Sequence, residues 1–268
     1  MNKILLILGK FLSALLLTLL TQIGGIIYLI IEILFIKKDK GYRIQKYSIF
    51  FLTYMICTFI LVPYLAPLFG REKIKNTEHI EACSFFTVLS NRNYVTPDLN
   101  LSIQAIAKKV HLKHPNIKLV YLDANFPFID KFPLLPHLSH NDGKKIDISF
   151  IYKDVDNQLT NKKPSLFGYG AFVNPVGNEI DQTHRCKKKG YWQYDFTKYV
   201  TFGFVNNQLK LSETATKDLI LASVNEKKVG KIFIEPHLKN RLHLTNPKIR
   251  FHGCQAVRHD DHIHLQLK

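Results

Sequence analysis

Apolar residues are spread unevenly along the chain. Residues 4–36 are almost continuously apolar, interrupted by Lys10, Gln22 and Glu32, and residues 47–69 form a second run with no charge. A bilayer-spanning helix needs about 20 apolar residues, so 11–36, with some tilt, and 47–69 are the predicted spans. Residues 37–46 between them carry five Lys/Arg and one Asp. The positive-inside rule puts that loop in the cytoplasm and both ends of the chain outside. A cleaved signal peptide has an apolar core of roughly 7–15 residues and a small-residue cleavage site. The first run is longer and no Ala-x-Ala follows it, which favours a two-helix transmembrane hairpin over residues 1–69. Glu32 lies near the predicted cytoplasmic end, where it is expected to snorkel toward Lys37 and Lys38.

After a polar linker (70–82) the pattern changes to short elements. Residues 83–89 (CSFFTVL) read as a buried strand. Thr96-Pro97-Asp98 open a helix, because Pro suits the first turn and Asp the positive end of the dipole. Leu99, Ile103, Ile106 and Val110 give that helix one apolar face, and His114-Pro115-Asn116 stop it. Residues 117–122 are strand-like, and 146–152 (IDISFIY) alternate as a half-buried strand does. Residues 153–191 are loop-rich and include the basic run 187–189. A helix follows over 212–225, then strands over 230–235 and 263–267. The predicted class is α+β, with a mixed or antiparallel sheet and few helices.

Composition separates the two parts further. Residues 1–69 carry a net charge of +5 and residues 70–268 carry +11 of the total +16. All twelve histidines follow residue 70. This segregation excludes a single soluble domain. The second part is large enough for its own core and too rich in Phe, Tyr, Ile and Leu for disorder.

Two histidine clusters carry candidate chemistry. In the first (136–147), His140 and Asp147 frame a Gly-containing turn that leads into the IDISF strand. In the second (259–264), His262 and His264 face the same way if 263–267 is a strand. Two imidazoles on one face plus a His/Asp pair from another strand can make a three-ligand metal site with one position open, the usual arrangement of catalytic zinc. Histidines 79, 111, 114, 184, 237 and 243 lack such context and read as ordinary surface or hydrogen-bonded residues.

His140-x6-Asp147 followed far downstream by His262-x-His264 resembles the signature of the LAS metallopeptidases, the lysostaphin-type and D-alanyl-D-alanine peptidases. His137-Leu138-Ser139-His140, His259-x-x-His262-x-His264 and the segment 229–242 (VGKIFIEPHLKNRL) resemble the penicillin-insensitive murein endopeptidases in particular. The likeness covers roughly residues 85–268. It implies a LAS/hedgehog-like zinc peptidase fold over 83–268, one Zn2+ per chain, and His140, Asp147 and His264 as its ligands. It also implies His262 as the catalytic base, with His259 and His137 as further active-site histidines that stabilise the oxyanion or protonate the leaving amine. Either Asp260 or Asp261 is expected to orient a histidine, and the other to be solvated. The implied substrates are amide bonds in peptidoglycan peptide cross-links, cleaved by an endopeptidase or a related carboxypeptidase.

That substrate agrees with an outward domain on the cell (inner) membrane, facing the periplasm or the exterior, and an outward domain has no nucleic-acid partner. The +11 charge suits an anionic wall polymer or membrane surface. Cys83, Cys186 and Cys254 would share an oxidising compartment. A Cys186–Cys254 disulfide is favoured over a second zinc site built from the His184-x-Cys186 and His252-x-Cys254 pairs, and Cys57 is expected to pack within its span. The alternative function is a non-catalytic, zinc-containing wall-binding or interaction module. The histidines at 137, 259 and 262 favour catalysis.

Overall fold

The computed structural model describes residues 3–35, 40–135, 137–199 and 204–268. Ile36, Lys37, Lys38, Asp39 and Pro136, which figure in the expectations above, lie outside the described residues. Two helices are long and apolar enough to cross a membrane, over Ile4–Thr21 and Gly41–Phe69.

The first apolar run is not one helix. It forms α1 (Lys3–Thr21) and α2 (Gly24–Leu34), separated at Gln22, whose φ of 67° is left-handed. The reason is local. Gly24 N–H donates to Thr21 Oγ1 (2.8 Å), and any Cβ on Gly25 would run into Ala14 and Thr18. The Gly pair thus lets α2 fold back tightly along α1. With 11 residues, α2 is too short to span alone. α3 (Lys40–Ile56) continues through a π-helical turn (Cys57–Leu61), α4 (Val62–Leu65) and a 3-10 turn (Ala66–Phe69). Glu32 of α2 pairs with Lys10 of α1 and Lys46 of α3, a better-defined partnership than the expected snorkelling. α1 and α3 therefore both run toward the domain. The N-terminal end of the chain and the domain lie at opposite ends of the helix layer, in contrast to the expectation that both chain ends share one side.

The domain has eleven described strands: β1 (Glu72–Lys73), β2 (Ile80–Ala82), β3 (Tyr94–Val95), β4 (Leu119–Asp123), β5 (Lys145–Ser149), β6 (Tyr152–Lys153), β7 (Leu159–Thr160), β8 (Lys210–Leu211), β9 (Val229–Phe233), β10 (Ile249–Arg250) and β11 (His262–Leu267). Six form a mixed sheet in the order β10-β9-β11-β5-β4-β2, so the class is α+β. The described helices are α5 (Phe85–Leu89), α6 (Pro97–Lys113), α7 (Gln182–Lys188), α8 (Glu213–Val224) and α9 (Pro236–Arg241). Thr96 and Ser212 cap α6 and α8 by accepting from the N–H groups of Leu99 and Ala215. Both helices pack on one sheet face, where Leu99, Ile103, Ile106, Leu219 and Ile220 meet Ile146, Ile148, Ile263 and Leu265.

Three local expectations are corrected. Residues 83–89 hold a helix, because Ser84 accepts from Phe86 N–H and caps it, and the strand lies just before, at β2. Residues 146–152 are not one half-buried strand. β5 ends at Ser149, and its second face is buried under loops that carry His137, His140 and Tyr169. The stretch 70–82 packs on the domain: β1 pairs with β3, and Arg71 and Ile74 are buried.

Cys186 and Cys254 form a disulfide, as favoured from the sequence, while Cys57 and Cys83 are free. The bridge closes a separation of 68 residues. Reduction, or paired Cys186→Ser and Cys254→Ser substitutions, is expected to lower the unfolding free energy by about 2–4 kcal/mol. Urea melts with and without reductant measure this, and an unchanged midpoint would exclude the bridge.

Candidate metal centre

The sheet places the two clusters together. β5 and β11 are antiparallel with His264 directly opposite Asp147 and His262 opposite Ser149, so Asp147 and His264 form a cross-strand pair on one face. β4 brings Asp123 opposite Asp147 on the other flank, and β9 brings Phe233 opposite His264. His137 and His140 arrive on the loop between β4 and β5.

His140 Nδ1–H donates to the Ala124 carbonyl (2.7 Å). That bond fixes Nδ1 as the donor and aims Nε2 at the sheet, where Asp147 raises the imidazole pKa against its burial. His140 Nε2 lies 3.1 Å from Asp147 Oδ1 and 3.0 Å from His264 Nδ1, and His264 Nδ1 lies 2.9 Å from Asp147 Oδ1. Tetrahedral zinc with bonds of 2.0–2.1 Å separates its ligand atoms by about 3.3 Å. The triangle has nearly this size, and all three residues are buried. His137, His140 and Asp147 form an overlapping group that could also hold a metal ion. The two groups share His140 and Asp147 and differ in the third imidazole, with His264 Nδ1 facing Asp147 Oδ1 at 2.9 Å and His137 Nδ1 facing the other carboxylate oxygen, Asp147 Oδ2, at 2.9 Å.

The surrounding groups are polar, buried and partly unpaired. His137 Nε2, His262 Nε2 and His264 Nε2 find no hydrogen-bond partner among the described residues. Leaving buried donors or acceptors unmet costs about 1–3 kcal/mol each, so a cluster of them makes this a candidate place for water or an ion to bind. His262 Nδ1 is held by the Asp261 carboxylate, while its Nε2 stays 3.8 Å from Asp147 Oδ1, outside the triangle. His259 is buried beside it, ring centroids 5.0 Å apart.

Electrostatics divide these imidazoles. Burial works against a charge on His262, but Asp147 and Asp261 outweigh it and push its pKa up to about 9. Burial lowers His264 to about 4 despite the Asp147 contact. His259 falls well below the ordinary histidine value through burial and its neighbours His262 and His264. Burial opposes ionisation of Asp147, yet His140, His262 and His137 hold its carboxyl well below the usual carboxylate range. Imidazoles pushed in opposite directions around buried carboxylates are the environment expected of a site that moves protons.

No protein-family model matches the chain, and no curated protein sequence matches it.

All six candidate residues meet in this one place. Asp261 takes the orienting role, and it also accepts from Gly170 N–H. Asp260 is not solvated as expected: it is fully buried and paired with Arg258 through two hydrogen bonds. His252 joins the rim, its ring 5.4 Å from that of His259. Tyr169 was not foreseen, and its hydroxyl donates to Asp147 Oδ2 (2.8 Å) while its ring meets those of His137 and His262. Asp123 and its partner Arg92 were not foreseen either, and they brace the strand edge beside His137.

The loop bearing His137 and His140 is fixed to the helix layer. Gln22 Oε1 accepts from Phe128 N–H (3.0 Å), Phe69 meets Phe128 at 5.0 Å, and buried Arg71 pairs with Asp130. Gly143 closes the loop with a φ of 75°, and a Cβ there would run into the Arg71 guanidinium.

Proposed function

We propose that the protein is a membrane-anchored zinc metallopeptidase that hydrolyses amide bonds in peptidoglycan peptide cross-links. The observation that carries this reading is the His140–Asp147–His264 triangle, beside a histidine held by a carboxylate and left with a free nitrogen. His140 Nε2, Asp147 Oδ1 and His264 Nδ1 would hold the ion. Zinc supplies Lewis acidity, which polarises a carbonyl and activates water at neutral pH. The remaining steps belong to the chain. His262, oriented by Asp261, accepts and returns a proton at Nε2. His137 and His259, next to it, offer donors to a developing oxyanion or a leaving amine. The choice of zinc and of wall peptides rests on the motif resemblance, and the donor set agrees with it.

Two features support a domain outside the cytoplasm. A disulfide suits an oxidising compartment. Because the chain turns back at Gln22, Lys10 of α1 and Lys46 of α3 both meet Glu32 in the part of the helix layer away from the domain, which supports the positive-inside argument.

The test uses the full chain in detergent, since the anchor braces the His137–His140 loop. Cross-linked muropeptides are incubated with zinc-loaded protein, with and without chelator, and the products are weighed by mass spectrometry. Cleavage at an amide that stops on chelation and returns with zinc is the expected result. Zinc-replete protein that binds peptidoglycan but cuts no amide would place it among wall-binding modules instead.

A further inference from the structure

The apolar surface of the helix layer continues onto the domain. The helix that starts with α3 exposes Ile44, Tyr47, Phe51, Ile56, Ile60, Tyr64 and Leu68. From Ile44 to Leu68 this is about 36 Å at 1.5 Å per residue, enough to cross a hydrocarbon core of about 30 Å with some tilt. The domain meets this helix far below its upper end. Phe85 of α5 stacks on Phe59 at 6.2 Å, and Tyr54 Oη–H donates to the Leu89 carbonyl at 2.6 Å. Phe59 lies about 13 Å below Leu68 along the helix. A bilayer that covers Tyr64 and Leu68 on one flank therefore also reaches α5 on the other.

At that level the domain exposes Phe85, Phe86, Leu166, Phe204 and Val205, each 43–60% accessible, and Phe167 packs against Phe86 at 5.9 Å. Between α5 and the helices lies a groove of about 470 Å³, walled mostly by apolar side chains such as Leu17, Leu20, Phe50, Phe86 and Leu89, with Arg92, neutralised by Asp123, also in its wall. Lys73 sits over the Phe59 ring at 5.3 Å, and exposed Lys162 lies close to Leu166. Lysine stems at this level can run along the apolar surface toward the phosphates while the aromatic rings stay among the acyl chains. A water-exposed patch of this kind is otherwise unfavourable.

We propose that this face is a lipid-contact surface: α5 and the loop around Phe167 are seated in the bilayer, and lipid hydrocarbon fills the groove. The proposal rests on the membrane-anchored part of the reading above and is independent of the peptidase chemistry. It holds the metal centre at the membrane surface, so substrate must be presented there.

The test is fluorescence quenching of the full chain in nanodiscs made of phosphatidylcholine with brominated acyl chains. Trp192→Phe removes the native tryptophan. Single tryptophans are then placed by Phe51→Trp on the spanning helix, by Phe86→Trp or Phe85→Trp on the proposed surface, and by Val176→Trp. Val176 N–H donates to Glu179, which pairs with Arg241 of α9, and Lys239 of α9 reaches the Ile249 carbonyl in β10, the edge strand about 24 Å from β2 at 4.8 Å per strand. Strong quenching at positions 51, 85 and 86, with none at 176, is expected. Quenching at 51 alone overturns the proposal and leaves the anchor intact. No quenching at any position overturns the membrane reading and the proposal with it. Equal quenching at 176 overturns the proposal, because the contact would not be confined to this face.

Discussion

Asp147→Ala is expected to strip the metal from the protein and abolish turnover. The carboxylate contributes one corner of the triangle through Oδ1, and its other oxygen receives the Tyr169 hydroxyl and faces His137. Losing an outer partner of a metal ligand alone costs roughly 10–100-fold in affinity, so loss of the ligand atom costs more. Titration with zinc reads the effect independently of activity. The wild-type protein should gain about 2.7 kcal/mol of stability at a hundredfold excess over Kd, and the variant should gain none. His264→Ala should behave like Asp147→Ala. His137→Ala should keep the metal, because its Nδ1 lies outside the triangle. The opposite outcome for these two histidines would move the site to the overlapping His137–His140–Asp147 group. A full equivalent of zinc in Asp147→Ala would sink the ligand assignment.

The centre was legible because its residues lie close together in sequence and on regular elements. A period of two in a strand is enough to put His262 and His264 on one face, and the sheet then adds the register that sets Asp147 opposite His264. Helix starts were legible where a capping side chain precedes a proline or an acidic first turn, as at Thr96 and Ser212. The fold-back at Gln22 was not. Hydropathy averages over such a run, whereas the break depends on one left-handed residue and on two glycines that allow close approach. Residues 83–89 misled for another reason: an aromatic run of this length satisfies strand and helix patterns equally, and a single cap at Ser84 decides. Tyr169 comes from a stretch without periodicity, and its hydrogen bond to Asp147 and ring contacts with His137 and His262 are all made across more than 20 residues. Only tertiary structure supplies such contacts.

His262→Ala separates proton transfer from metal binding. The side chain is fully buried at the site, but its Nε2 stays 3.8 Å from Asp147 Oδ1, and its Nδ1 is taken by Asp261. The variant should therefore retain one equivalent of metal while turnover falls on the order of 10²–10⁴-fold, the usual cost of removing a positioned acid–base group. Asp261→Asn gives a second, graded reading. Asp147 and Asp261 are the anions that raise His262 against its burial. Removing the Asp261 charge lowers the imidazole pKa, so a reaction that needs neutral His262 should turn on at lower pH. The acid limb of kcat/KM should shift downward, in a variant whose metal content is unchanged. An acid limb that stays in place, together with full activity in His262→Ala, would mean that the proton passes through a neighbour. His259, 5.0 Å away between ring centroids and held neutral by burial, would then be the group to replace next.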